Sequence, residues 1–240
     1  MRIALLALAL LASPGLSPAE AWAAERSYSV SDFDRVRLDA PVRVTVATGR
    51  SPSARATGPQ AALDALKVEV QGRTLVIGRN VSSWGSARDE AGPLELKLST
   101  HGLRAASVNG AGSLAVDAIR GGTVQLAVGG SGALEVLAVD ADALSAAVQG
   151  DGRLALGGKA RAATLQLRGS GSLGGGDFIA DHLKVGADGT GTITAGARTT
   201  ASIQASGTGA VTVTGTPACT VKATGSALVR CGASGQVPNR

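Results

Sequence analysis

The stretch Ala146-Ala147-Val148-Gln149-Gly150-Asp151-Gly152-Arg153-Leu154 decides the fold, because its pattern recurs along most of the chain. In it, a Gly-x-Gly turn is flanked on both sides by apolar residues at every second position. The turn occurs seven times, at spacings of 18 to 20 residues. It begins at Gly110, Gly130, Gly150, Gly169, Gly189, Gly207 and, as a degenerate Gly-Ser-Ala copy, at Gly225. Alternation with a period of two around a glycine turn is typical of strand, turn and strand.

Equivalent positions of the seven copies carry the same kind of residue. Four residues after the first glycine stand Leu114, Leu134, Leu154, Leu173, Ile193, Val211 and Val229. Two residues before it stand Val108, Val128, Val148, Leu167, Ala187, Ala205 and Ala223. Four residues before it stand Ala106, Leu126, Ala146, Leu165, Val185, Ile203 and Val221. All of these are apolar, whereas the positions between them are mostly small or polar.

A repeat of this length cannot bury its apolar face alone, so successive copies are expected to stack with one coil per repeat. A meander of hairpins is the competing interpretation, because Gly-x-Gly also suits hairpin turns. The matched residue sizes favour in-register stacking. The sequence therefore predicts an all-β fold, a β-solenoid with coils of about 18–20 residues.

The domain organisation predicted from this pattern is a single β-solenoid domain over residues 24–240. Residues 24–104 are expected to form irregular N-terminal coils and a cap, residues 105–232 the repeat coils, and residues 233–240 a polar tail. Within the N-terminal part, alternation predicts strands at residues 42–46, 67–70, 75–77 and 94–98, a helical turn at 59–66, and an irregular loop at 81–92 that contains Trp84.

Residues 1–23 have the three zones of a secretory signal peptide. Arg2 supplies the positive end, residues 3–12 are apolar, and Pro14 begins a breaker region. Small residues predict cleavage between Ala23 and Ala24. A retained membrane helix is the weaker interpretation, because a span needs about 20 apolar residues. We expect an exported protein, in the periplasm or at the cell surface or outside the cell, without a transmembrane segment in the mature chain.

Composition limits the partners. The chain has 34 glycines but only five aromatic residues, and stacking platforms for single-stranded nucleic acid depend on aromatic side chains. Since no nucleic-acid-binding motif is present either, we expect no nucleic acid partner.

The formal net charge is +5, and the ionised side chains after Asp188 are all cations: Arg198, Lys222, Arg230 and Arg240. This basic end could face anionic polysaccharide or lipid headgroups, or it could simply be solvated.

Four kinds of segment together resemble a known family. They are Asp32-Phe33-Asp34-Arg35-Val36, Val42-Arg43-Val44-Thr45-Val46, Thr74-Leu75-Val76-Ile77, and repeated runs such as Ser107-Val108-Asn109-Gly110-Ala111-Gly112-Ser113-Leu114. Their order and spacing resemble the putative autotransporter adhesin head GIN domain, a domain of unknown function in bacterial envelope proteins. The resemblance covers about residues 30–232. It implies a right-handed parallel β-helix and an adhesin-like or envelope role, and it implies no activity or binding residues.

Candidates for chemistry are few. Residues 169–174 fit G-x-G-x-x-G, but no helix follows them, so no dinucleotide cofactor is expected. Scattered carboxylates do not supply the six to eight oxygens that calcium prefers, and no zinc-ligand spacing exists. A β-helical enzyme that cleaves polysaccharide would need clustered carboxylates, and the candidates are Asp140, Asp142, Asp177, Asp181 and Asp188, with His182. Glycoside hydrolysis needs two carboxyl groups that flank one substrate. Asp177 and Asp181, with His182, could form such a patch, but they occupy a predicted turn, where solvated charge is ordinary.

We therefore predict no catalytic residue, no metal site and no cofactor. The predicted function is that of an exported, noncatalytic β-solenoid with an adhesin-like, envelope interaction or scaffold role. Its expected partner is an envelope component, protein or polysaccharide. The alternative is a polysaccharide-active β-helix enzyme.

The two cysteines lie symmetrically about the last turn. Cys219 is six residues before Gly225 and Cys231 is six residues after it, at positions that inward apolar residues fill in most copies. Because they are the only cysteines of a chain predicted to be exported, we predict a disulfide that closes the last coil. The alternative is two small buried hydrophobic side chains.

Overall fold

The computed structural model describes residues 24–80 and 94–232, in which the chain forms sixteen strands and one short helix. The strands are β1 (Ala24–Tyr28), β2 (Arg35–Leu38), β3 (Arg43–Thr48), β4 (Ser53–Gly58), β5 (Leu66–Gln71), β6 (Thr74–Arg79), β7 (Glu95–Thr100), β8 (Ala105–Asn109), β9 (Ser113–Gly130), β10 (Ala133–Gly150), β11 (Arg153–Gly169), β12 (Ser172–Gly189), β13 (Thr192–Gly207), β14 (Ala210–Gly215), β15 (Ala218–Gly225) and β16 (Leu228–Cys231). The helix is α1 (Gln60–Ala65). No helix in the described part of the chain is both long and apolar enough to span a membrane.

The repeat forms a β-solenoid, as predicted. Each of β9 to β13 follows one coil and pairs in parallel with the strand one coil away. The register matches the sequence repeat, since Leu134 lies opposite both Leu114 and Leu154. The hairpin meander is wrong, because its successive strands would pair antiparallel. Neighbouring coils are stacked about 4.8 Å apart, as in any hydrogen-bonded sheet.

We divide each coil into three segments, which we call sides and name from the β9 coil. Face A contains residues 113–117 and their equivalents, the third side contains residues 118–122, and face B contains residues 123–129. Face A begins directly after a Gly-x-Gly turn, and face B ends at the next one. The inward side chains of this coil are Leu114, Val116, Ile119, Val124, Leu126 and Val128, and all are buried. The coils thus enclose a narrow aliphatic core, which explains the shortage of aromatic residues.

The two glycines of each turn are needed for different reasons, as the third turn shows. Gly150 has a φ of +106°, and a Cβ atom on it would lie 2.8 Å from the carbonyl oxygen of Gly130 in the coil below. A Cβ on Gly152 would lie 2.5 Å from Val128 Cγ1 and 2.8 Å from the Gly132 carbonyl oxygen. The turns therefore stack backbone on backbone, and a side chain at either position would hold the coils apart.

The N-terminal coils do not follow the order of the sequence. β2 lies between β6 and β8, and β3 lies between β7 and the start of β9, all in parallel. The coil formed by β2 and β3 is therefore sandwiched between later segments of the chain. At this end of the solenoid β5 pairs antiparallel with β6, β4 with β7, and β1 with β4. α1 covers the same end through buried Leu63.

The local predictions for the N-terminal part are confirmed where the structure describes it. The segments predicted as strands overlap β3, β5, β6 and β7, with β3 and β7 each beginning one residue later than predicted, and the predicted helical turn contains α1. The signal peptide, the predicted irregular loop with Trp84, and the polar tail lie outside the described residues.

Candidate functional site

The carboxylates considered for polysaccharide cleavage are divided between two parts of the solenoid. Asp140, Asp142 and Asp181 lie on the third side, and Asp177 lies at the irregularity through which β12 enters that side. Asp188 lies on face B. The structure thus separates Asp188 from the other four carboxylates.

The third side carries charges that alternate in sign from coil to coil. Arg120 lies opposite Asp140, and Asp140 lies opposite Lys159, with 3.9 Å between Asp140 Oδ1 and Lys159 Nζ. In the neighbouring row, Arg161 Nη2 lies 3.5 Å from Asp142 Oδ1, and Arg198 Nη1 lies 3.3 Å from Asp181 Oδ1. We call these residues the charge ladder: Arg120, Asp140, Asp142, Lys159, Arg161, Asp181 and Arg198. Exposed pairs of this kind contribute at most about 1 kcal/mol each.

The charge ladder gives these carboxylates partners within the chain. Glycoside hydrolysis needs two carboxyl groups that face one substrate, whereas Asp140, Asp142 and Asp181 each face a cation of the next coil. His182 follows Asp181 in sequence, but its Nδ1 atom lies 2.9 Å from Thr200 Oγ1. The arrangement holds neighbouring coils in register and does not assemble an acid and a base around a common point.

A second polar cluster, which the sequence analysis did not identify, lies at the N-terminal end. Arg73 Nε donates a 2.9 Å hydrogen bond to Oδ2 of buried Asp34, and Arg73 Nη2 lies 3.5 Å from Asp32 Oδ2. His101 Nδ1 lies 3.2 Å from the other oxygen of Asp32. Buried Thr100 donates a 2.6 Å hydrogen bond to the carbonyl oxygen of Phe33. Because these residues precede or follow β2, β6 and β7, the cluster joins coils that are distant in sequence, and we interpret it as structural.

No group of three or more His, Cys, Asp and Glu side chains is placed to hold a metal ion within residues 24–80 and 94–232. The two histidines are far apart in the fold, since His101 contacts Asp32 at the N-terminal end and His182 contacts β13. Asp151, in the third Gly-x-Gly turn, accepts a hydrogen bond from Ser170 Oγ of the next turn. These carboxylates and histidines therefore connect neighbouring segments of the chain.

Face B is uniformly polar in its last four coils, where outward side chains form a grid of three rows. We call it the polar grid: Thr164, Gln166, Arg168, Lys184, Gly186, Asp188, Ser202, Gln204, Ser206, Thr220, Lys222 and Thr224. It contains three cations and one carboxylate. Asp188 lies opposite Arg168 in register and accepts a 2.9 Å hydrogen bond from Ser206 Oγ. Arg168, Lys184 and Lys222 form no ion pair in the described part of the chain.

A shallow trough of about 450 Å³ runs along the grid over these four coils. Gly186 lies within it between Gln166 and Gln204, so the missing side chain deepens the surface at that point. Arg168 and Lys222 belong to its first and last coils. In the sequence, Asp188 and Lys222 are isolated charges, because the grid becomes visible only when outward positions are compared across the repeat.

The last coil brings the two cysteines together. Cys219 continues the row that contains Ala201, and Cys231 continues the row that contains Val213. Their Sγ atoms are at disulfide distance, 2.08 Å apart, with the Cα atoms separated by 6.4 Å. The pair connects β15 on face B with β16 on face A.

Comparison with protein families identifies a match over residues 32–217 to the model described as putative auto-transporter adhesin, head GIN domain. This range includes the N-terminal coils, the charge ladder and most of the polar grid. No curated protein matches the chain.

Several solved structures share the fold over their whole length. A putative adhesin from Bacteroides fragilis is 20% identical with a TM-score of 0.76, covering 90% of this chain and 99% of that one. A putative lipid binding protein from Parabacteroides distasonis is 18% identical with a TM-score of 0.69, covering 88% and 96%. A putative adhesin from Parabacteroides merdae is 15% identical with a TM-score of 0.66, covering 88% and 96%. At these identities the similarity establishes the fold.

Proposed function

We propose that this chain, which belongs to the family of the putative auto-transporter adhesin, head GIN domain, is an exported, noncatalytic β-solenoid. It binds a component of the cell envelope through its lateral surface. Proteins of similar fold that are described as putative adhesins support the adhesin-like role. The further proposals are that residues 24–240 act as one domain and that the partner is an envelope protein or polysaccharide.

One observation carries the proposal. On the third side, three carboxylates each lie within 3.9 Å of a cation of the next coil. On the polar grid, the three cations form no ion pair in the described chain, although Asp188 lies opposite Arg168 in register. The fold requires apolar side chains at the inward positions and glycine at the turns of each coil, but it does not restrict the outward positions in this way. Unpaired polar groups gathered on one flat lateral face are suited to a partner from outside the chain.

Export is supported by the three zones of a secretory signal peptide in residues 1–23. The predicted disulfide would also require an oxidising compartment, which export provides.

The test measures binding and turnover on the same samples. We expect the mature protein to bind at least one fraction of purified envelope polysaccharides or proteins and to release no new reducing ends from it. A triple variant, Asp177→Ala, Asp181→Ala and His182→Ala, should stay folded and bind equally well. A parent protein that degrades a glycan, together with a folded triple variant that does not, would establish the enzymatic alternative instead.

A further inference from the structure

We propose that the trough of the polar grid binds an acidic polysaccharide, a polymer carrying carboxylate groups, which lies along the solenoid axis. This inference rests on the proposed function and specifies its partner and its site. The residues assigned to contact the polymer are Gln166, Arg168, Gly186, Gln204 and Lys222, with Lys184 beside them.

The charge of the trough favours an anionic partner. Arg168, Lys184 and Lys222 are exposed and have no ion-pair partner in the described chain, while the single carboxylate, Asp188, is hydrogen-bonded by Ser206. The grid therefore has a net charge of +2, and its carboxylate lies opposite Arg168 in the next coil. Exposed cations attract an anionic polymer with a rate and a strength that both fall as the ionic strength rises.

The neutral groups of the trough favour a partner rich in hydroxyl groups. Gln166 and Gln204 stand on either side of Gly186, and each amide can donate and accept hydrogen bonds. Ser206 and Thr224 add hydroxyl groups in the adjacent row. Hydroxyls and carboxylates of a sugar chain can pair with all of these groups.

The distance between the cations favours a polymer over a small anion. Arg168 lies in the first coil of the trough and Lys222 in the last, three coils away. Three coil spacings correspond to roughly 14 Å along the axis. One carboxylate cannot contact both cations, whereas a chain molecule lying in the trough can meet the same rows of side chains coil after coil.

The surface is poorly suited to the other large partners. A membrane would need apolar side chains to enter the bilayer, but the exposed large hydrophobic residues of the described chain, Leu137 and Leu228, lie outside the grid. Protein interfaces usually have an apolar or aromatic centre, and single-stranded nucleic acid needs aromatic stacking, neither of which the grid supplies.

The experiment measures binding of the mature protein, exported from the full-length gene, to alginate, a carboxylated polysaccharide. Dextran is the neutral control, and vesicles of phosphatidylglycerol and phosphatidylcholine test the membrane. Two double variants that remove equal charge are compared: Arg168→Gln with Lys222→Gln, in the trough, and Arg153→Gln with Arg230→Gln, on face A. Arg153 and Arg230 are also exposed cations without an ion-pair partner in the described chain.

We expect the protein to bind alginate but not dextran, more weakly as salt is added. The trough double variant should bind about tenfold more weakly, because two exposed ion pairs contribute up to about 1 kcal/mol each. The face A double variant should stay within about twofold of the parent, since screening limits charges on a different face.

A neutral pair of variants tests the shape of the trough. Gly186→Gln should fill it without strain, because a Cβ there would lie 3.9 Å from Gln166 Cγ, an ordinary contact. Gly121→Gln is the control, since a Cβ on this third-side glycine would meet no atom within 4 Å. We expect Gly186→Gln to weaken alginate binding several-fold and Gly121→Gln to leave it unchanged, with both proteins folded by circular dichroism.

Three results would overturn the assignment: equal losses in the two double variants, unchanged binding in Gly186→Gln, or binding to the anionic vesicles without binding to alginate. Each of these would leave a noncatalytic envelope-binding role intact. New reducing ends in the alginate samples would instead contradict the proposed function, whichever face the polymer occupies.

Discussion

The close stacking of the turns predicts how much stability is lost when a single methyl group is added to a turn glycine. Gly150→Ala should destabilise the solenoid strongly, because the backbone at this position has a φ of +106° and the new Cβ would lie 2.8 Å from the Gly130 carbonyl oxygen. Gly186→Ala is the matched control on the same sheet. Its φ is not in the left-handed region, and its Cβ would lie 3.9 Å from the nearest side-chain atom.

The expected magnitudes follow from these two geometries. A left-handed backbone costs an L-residue about 1–2 kcal/mol, and overpacking costs about 1–3 kcal/mol, so Gly150→Ala should lower the free energy of unfolding by about 2–5 kcal/mol. Gly186→Ala should raise it by about 0.4–1 kcal/mol, because alanine restricts the unfolded chain more than glycine does. The two substitutions therefore differ in sign.

Urea unfolding followed by circular dichroism measures the difference. With a urea dependence of about 1–3 kcal/mol per molar, the midpoint of Gly150→Ala should fall by about 1 M or more. Hydrogen exchange should be fastest in the coils adjoining the substituted turn, since each repeat contacts only its neighbours. A Gly150→Ala midpoint equal to that of Gly186→Ala would refute the close stacking of turn on turn.

The other two predictions concern the ends of the chain. Replacing Cys219 and Cys231 together by serine should cost about 3 kcal/mol in the chain-entropy model and increase hydrogen exchange mainly in β15 and β16; two freely labelled thiols in unfolded, unreduced native protein would show that no disulfide forms. Intact-mass measurement on protein from the native envelope fraction should give a chain beginning at Ala24, and retention of Met1 would contradict export.

The repeat coils could be predicted from sequence because their constraints recur. Leu134, Leu154 and Leu173 occupy one inward row, and the spacing of the glycine turns alone was enough to place them opposite each other. Because a solenoid makes the same contact at each coil, the glycine turn and its apolar positions recur in seven copies. Together these copies predict the register of the strands, although a single copy would not. The cysteine positions followed from the same rows.

The order of the N-terminal coils could not be predicted in this way. Val36 alternates with polar residues and is readily predicted to lie in a strand, but its partners are Leu75 and Ala106, distant segments outside a shared repeat. Alternation identifies a strand and its inward face without identifying its neighbour. The contacts that fix the order, such as Arg73 with Asp34, are each made once and leave no periodic signal.

The candidate binding surface could not be predicted from the sequence either, because its residues do not repeat as a pattern from coil to coil. Outward positions tolerate many residue types, so Asp140 and Arg161 look as isolated in sequence as Arg168 and Lys222 do. Distance distinguishes them, because Asp140 and Arg161 lie 3.9 Å and 3.5 Å from opposite charges one coil away. Arg168 and Lys222 form no ion pair within the described chain, although Asp188 lies opposite Arg168 in register. In a solenoid, an outward row that satisfies itself across coils contributes to register, and an outward row that does not is available to a partner.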